Sequence, residues 1–152
     1  MAFTLTVKGF EDGGSIPKGC TCDAEDSSPA LEWSNEPQGA QSFALIMDDP
    51  DAPGGTWTHW LLWDVPPHVH SLSGGFRPGI VGTSGKNDFG RPGYGGPCPP
   101  KGHGVHRYYF TLYALDRPAL GLPPGARRQE LDRALKGRVI AQARYLGRYS
   151  RG

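Results

Sequence analysis

NDFGRPGYGGPCPPKGHGVHRYYFTLYAL, residues 87 to 115, changes character abruptly at Val105. From Gly90 to Gly104 glycine and proline recur so densely that neither a helix nor a strand can continue. The prolines fix φ and limit floppiness, so a shaped, semi-rigid loop is expected there. Beyond it Val105, Arg107, Tyr109, Thr111 and Tyr113 alternate with His106, Tyr108, Phe110, Leu112 and Ala114, the period of two of a pleated strand. His106 opens the more apolar face of that strand, with Tyr108 one step further in.

The stretch Gln41 to Val65 repeats the arrangement. Phe43, Leu45, Met47 and Asp49 share one parity, and the turn chemistry of DPDAPGG follows at once. The next strand, TWTHWLLWDV, places Trp57, His59, Leu61, Trp63 and Val65 on one face by simple alternation. If these two strands pair, Asp49 and His59 meet at one rim of a sheet. His106 joins them if its strand runs in the same direction as the one bearing His59.

The whole chain has 152 residues, a length that predicts a single domain over 1–152 with an ordinary core. A formal charge of +1 provides no global attraction to nucleic acid or an acidic membrane surface, so any anion binding must be local. With 23 glycines and 15 prolines the composition approaches that of disordered chains, but the aromatics fall in alternating runs and point to a turn-rich all-β domain. The N-terminus lacks the charged start and long apolar core of a signal peptide, and no stretch is apolar enough to span a bilayer. A cytoplasmic location without membrane insertion is the resulting expectation. Three cysteines, Cys20, Cys22 and Cys98, are too few for a disulfide framework, and Cys20 and Cys22 sit too close together for a zinc knuckle. Pairing of Cys22 with Cys98 is open, with buried free thiols the reading preferred from sequence.

Phe3, Leu5 and Val7 make a first strand with one wet face, Glu11 to Pro29 a polar loop, and Leu31 to Ser34 a short strand. Pro66 to Lys86 reads as irregular, with His68 and His70 exposed and no third ligand to make a metal site of them. Ala126 to Lys136 has Leu131, Ala134 and Leu135 at helical spacing, with Gly137 placed to close the helix. Even spacing of Val139, Ala141, Ala143, Tyr145 and Tyr149 predicts a last strand.

Two catalytic signatures fail on inspection. GTSGK at Gly82 to Lys86 lacks the leading glycine of a phosphate loop, because that position is Ile80, and Ser84 lacks the glycine spacing of a nucleophile elbow. What remains is Asp49, Asp51, His59, His106 and Tyr108. Taken singly, each histidine reads as a satisfied core residue and each aspartate as a turn former. Together, at strand ends beside Gly/Pro loops, they describe a small polar cavity. Imidazole N–H groups, a tyrosine hydroxyl and loop amides are donors, so such a cavity suits phosphate or carboxylate oxygens. No activated nucleophile stands out, so the residues favour a binding role over an enzyme, with no cofactor and no metal implied.

These residues closely resemble the phosphatidylethanolamine-binding protein family, also called Raf kinase inhibitor-like, in its small bacterial and archaeal branch. The resemblance rests on TCDAEDSSPALEW at Thr21 to Trp33, on DPDAP at Asp49 to Pro53 followed by THW at Thr58 to Trp60, and on the stretch from Asn87 to Asp116. It implies a mainly β fold with a central antiparallel sheet, a second smaller sheet and one short helix near the C-terminus. The extra C-terminal helix of eukaryotic members has no counterpart here. Carried over by motif, the pocket comprises Asp49, Asp51, Ala52, Pro53, Trp57, His59, His106 and Tyr108, with Cys98, Pro99 and Pro100 as its lip. The expected partner is a small anionic or phosphorylated molecule, such as a phospholipid headgroup. Protease or kinase inhibition through protein contacts, hydrolysis by the Asp/His set, and a homodimer are the alternatives that the sequence leaves open.

Overall fold

The computed structural model describes residues 2–152. A large antiparallel sheet has the order β6-β4-β3-β7-β8, and a small one the order β1-β2-β5. The strands are β1 (Thr4–Val7), β2 (Leu31–Ser34), β3 (Ser42–Asp49), β4 (Trp57–Val65), β5 (Ser71–Leu72), β6 (Thr83–Ser84), β7 (His106–Leu115) and β8 (Val139–Tyr149), with α1 (Arg128–Leu135) between β7 and β8. The segment 66–86, expected to be irregular, thus supplies an edge strand to each sheet. A run of two residues has too little alternation to be seen as a strand from sequence.

β3 lies between β4 and β7 and is antiparallel to both. The two flanking strands therefore run in the same direction, and both begin at the rim where β3 ends. That single topological fact brings Asp49, His59 and His106 to one place.

The large sheet is buried on both faces. Phe43, Leu45, Met47, Trp60, Leu62, Tyr108, Phe110 and Leu112 pack toward the small sheet with Leu5, Val7, Leu31 and Trp33. On the opposite face Ala44, Ile46, Leu61, Trp63 and Leu115 pack beneath α1 through Leu131 and Leu135. The helix begins where Arg127 donates its backbone N–H to Glu130 Oε1 at 3.0 Å and ends before Gly137 at φ +78°.

Strict alternation fails along β4. Met47 pairs with Trp60 but Asp48 with Thr58, leaving His59 as an extra residue; a second shift lies between Phe43, opposite Val65, and Leu45, opposite Leu62. Each shift reverses the parity. Trp57 and His59 therefore belong to the rim, Leu61 and Trp63 turn to the helix side, and Val65 rejoins the face of Trp60 and Leu62. The bulge lets an imidazole and an indole point into adjoining parts of one face without a gap between them.

The loops are sewn together by specific side chains. Cys22 and Cys98 form a disulfide, with Cα atoms 5.4 Å apart, which corrects the expectation of free thiols. Cys20 alone is free, and it is partly exposed. Asp26 accepts from the Gly96 amide at 2.8 Å, and the Tyr94 hydroxyl donates to the Cys20 carbonyl at 2.6 Å. Gly96 has no alternative, since a Cβ there would stand 2.2 Å from the Cys20 carbonyl oxygen. Asn87, fully buried, organises the Gly/Pro loop by donating to Gly93 O at 2.9 Å and accepting from the amides of Phe89 and Arg91.

Candidate functional site

At the rim a hollow of about 190 Å³ is lined by Asp49, Ala52, Pro53, Trp57, His59, Phe89, Cys98, Pro99, Pro100, His106 and Tyr108. Ten of these eleven are residues singled out above; Phe89 is the addition. Asp51 is the exception among the expected residues. Its carboxylate turns outward and takes Arg107 Nε at 2.9 Å and Nη2 at 2.8 Å, an ion pair that holds it down to about pKa 2. His68 and His70 also stay apart from the rim, His70 pairing with Glu36 at 2.7 Å.

Asp49 is engaged at both oxygens. One accepts the Asp51 amide at 2.8 Å, closing the turn, and the other accepts His106 Nδ1–H at 2.6 Å. Both side chains are almost wholly buried. His106 Nε2 lies 2.7 Å from Nδ1 of His103. With Nδ1–H donated to the carboxylate, a neutral His106 has only a lone pair at Nε2, so His103 Nδ1–H is the donor of that bond. A hydrogen-bonded row Asp49–His106–His103 results, and both ring nitrogens of His106 are occupied. His103 was not singled out from sequence, where it sits in a loop with no periodicity.

His59 is set differently. Its Nδ1–H donates to the Gly95 carbonyl at 2.6 Å, and the Gly95 amide returns a bond to the His59 carbonyl at 2.9 Å. Burial pushes the imidazole pKa below its ordinary value, the Gly95 carbonyl and Asp49 opposing this only in part. The neutral ring thus leaves Nε2 as an acceptor. Tyr108 meets His59 edge to face at 5.2 Å, and Phe89 does the same at 5.3 Å. The Tyr108 hydroxyl is buried and faces the Asp49 carboxylate, but no acceptor in the protein lies within 3.5 Å of it in hydrogen-bonding geometry. Burial, then the nearby Asp49 charge, raises its pKa and keeps the proton on it. The hollow thus offers one unused donor and one unused acceptor on touching rings.

No serine, threonine or free thiol is among the residues lining it. Among the described residues no group of three or more His, Cys, Asp or Glu side chains is arranged to hold a metal ion.

A family model described as phosphatidylethanolamine-binding protein matches residues 6–150. The chain belongs to this family. A UPF0098 protein of Aquifex aeolicus is 50% identical over 147 residues, covering 95% of this chain and 86% of the relative. A Mycobacterium tuberculosis relative named as a candidate lipoprotein is 42% identical over 146 residues, or 96% of this chain and 71% of the relative. Among solved structures, the family homologue CT736 of Chlamydia trachomatis and the family member YbcL of E. coli each superpose with a TM-score of 0.91 over 99% of both chains, at 38% and 31% identity. The mainly β family fold, with two antiparallel sheets and one helix near the C-terminus, is the fold of this chain. A carboxypeptidase Y inhibitor, solved with its proteinase, shares the fold at a TM-score of 0.60 and 16% identity, covering 99% of this chain and 83% of that one.

Proposed function

We propose that the rim hollow binds, without chemical conversion, the phosphoryl or other oxyanion end of a small molecule, a phospholipid headgroup or phosphorylated side chain being of the right kind. The observation that carries this is the buried Tyr108 hydroxyl without a partner, beside the unused Nε2 of His59. Leaving such a hydroxyl unpaired costs about 1–3 kcal/mol, which a ligand acceptor would recover. A singly protonated phosphate fits the pair, its P–O accepting from Tyr108 and its P–OH donating to His59 Nε2. The volume of about 190 Å³ lies below the ~300–1,000 Å³ of sites for drug-sized molecules, so only the end group is held.

Calorimetric titration with inorganic phosphate and O-phosphoethanolamine tests this. Micromolar to millimolar binding is expected, weakened about tenfold or more in Tyr108→Phe and in His59→Ala, as each loses a charge-assisted hydrogen bond of about 1.5–3 kcal/mol. Binding unchanged in both variants would remove the reading.

Protease inhibition has only the fold in its favour, because at 16% identity the inhibitor's contact residues do not transfer. Hydrolysis by way of a serine, threonine or cysteine acyl-enzyme lacks its nucleophile in the lining. The Cys22–Cys98 disulfide favours an oxidising compartment over the cytoplasm expected from the sequence, and a relative named as a candidate lipoprotein agrees with that.

A further inference from the structure

His106 is a wall shared by the rim hollow and a second concavity of about 570 Å³, whose lining includes Ser15, Asp51, His103, Arg107, Arg148 and Ser150. Arg107 and Arg148 are direct register partners on β7 and β8. Like charges placed opposite each other across a sheet cost stability, which an anion between them would relieve. Asp51 answers only one of them, occupying Nε and Nη2 of Arg107. Arg151, the next arginine along, is taken by Asp23 at 3.0 Å. Arg148 has no carboxylate partner among the described residues, and two guanidinium groups against one carboxylate leave a positive surplus in the lining.

The surroundings of Arg148 are built. Its backbone N–H donates to Gly14 O at 2.9 Å and its carbonyl accepts from Ile16 N–H at 2.8 Å, which holds Ser15 beside it. His103, whose Nδ1–H is given to the buried His106, keeps Nε2 as an unused acceptor, which meets the P–OH of a singly protonated phosphoryl group. Val105, 59% exposed, adds an apolar side to the same concavity.

We propose that this concavity is a second anion site, separate from the rim hollow, which takes the phosphoryl group of a small phosphorylated organic molecule between Arg148, His103 and the hydroxyls of Ser15 and Ser150. A guanidinium, an imidazole and two hydroxyls approaching from several directions match a tetrahedral oxyanion better than a planar carboxylate. One uncommitted guanidinium is too little for a nucleic-acid backbone, which needs a row of such contacts. The volume leaves room for an organic body against Val105.

Titration of the 15N-labelled chain with phenyl phosphate, followed by two-dimensional NMR at low salt, tests it. Saturable shifts are expected at the amides of Ser15, Arg148 and Ser150, weakened about tenfold in Arg148→Gln and unaffected in His59→Ala. Shifts at Phe89, which lines the rim hollow, and at Gly95, which accepts from His59, should respond in the opposite way to the two variants. Absence of saturable shifts at Ser15 and Ser150, or their persistence in Arg148→Gln, would overturn the second site while leaving the rim reading to its own test. Benzoate is the comparison: equal affinity for it would exclude selection of a tetrahedral group.

Discussion

At the scale of single residues the rim is governed by which nitrogen holds a proton. His59 is neutral because it is buried, with its proton on the nitrogen that faces Gly95. The same fact has a measurable effect on stability. A histidine whose folded pKa lies below the unfolded value of 6.5 binds fewer protons in the folded state, so stability is complete above that pH and declines as pH falls below it, until the folded form also protonates. Denaturant unfolding between pH 7.5 and 5 should show this decline, and His59→Gln should flatten it; an identical slope in the variant would show that the burial cost resides elsewhere. Asp51 acts at lower pH. Its carboxylate is stabilised in the folded state by Arg107, so its contribution is present above the usual carboxylate range and is lost as pH falls toward 2. Parity and turn chemistry revealed Asp49, His106 and Tyr108, which sit in or beside unbroken alternation, whereas His59 reaches the rim only through the bulge that reverses the parity of its strand. They did not reveal His103 or Phe89, whose positions depend on the path of a loop.

Among the elements, β4 and the stapled loop shape the site. The extra residue at His59 reverses the strand's parity, so Leu61 and Trp63 serve the helix side while Trp60 and Leu62 serve the other core. A bulge is one residue of slack in a pairing register, and the strand's own sequence, apolar on both faces, contains no mark of it. The disulfide joins the pocket lip to the loop at Thr21–Asp26, where Asp23 also binds Tyr149 and Arg151. Closing a loop across 76 residues is worth about 4.5 kcal/mol in the chain-entropy treatment. Cys22→Ser with Cys98→Ser, or full reduction, should lower unfolding free energy by about 2–4 kcal/mol and weaken phosphate binding at the rim, both read in one set of titrations. A loss under about 1 kcal/mol with unchanged binding would mean that the hydrogen bonds of Asp26 and Tyr94 hold the lip unaided. Three cysteines could not announce this pairing, since its geometry exists only once two loops meet.

Across the whole molecule the large sheet separates two tasks. One face supports the small sheet and, at its end, the rim hollow; the other is closed by α1 through Leu131 and Leu135. Leu131→Ala, at a site with no exposure, should cost about 2–5 kcal/mol by thermal or denaturant unfolding and leave phosphate affinity at the rim unaltered. A parallel fall in affinity would show that the two faces are coupled through β3 and β4. The amino-acid order by itself determined the alternating strands, the short helix, the turn at DPDAP and the Gly/Pro loop, because these are local matters of parity, φ and donor supply. Long motifs in a fixed order also made the family legible. Only the folded structure decided that Asp51 leaves the hollow for Arg107, that Cys22 meets Cys98, and that His103 completes a row with His106 and Asp49. Each of those depends on distances between segments remote in the chain, which are set by sheet order and loop packing.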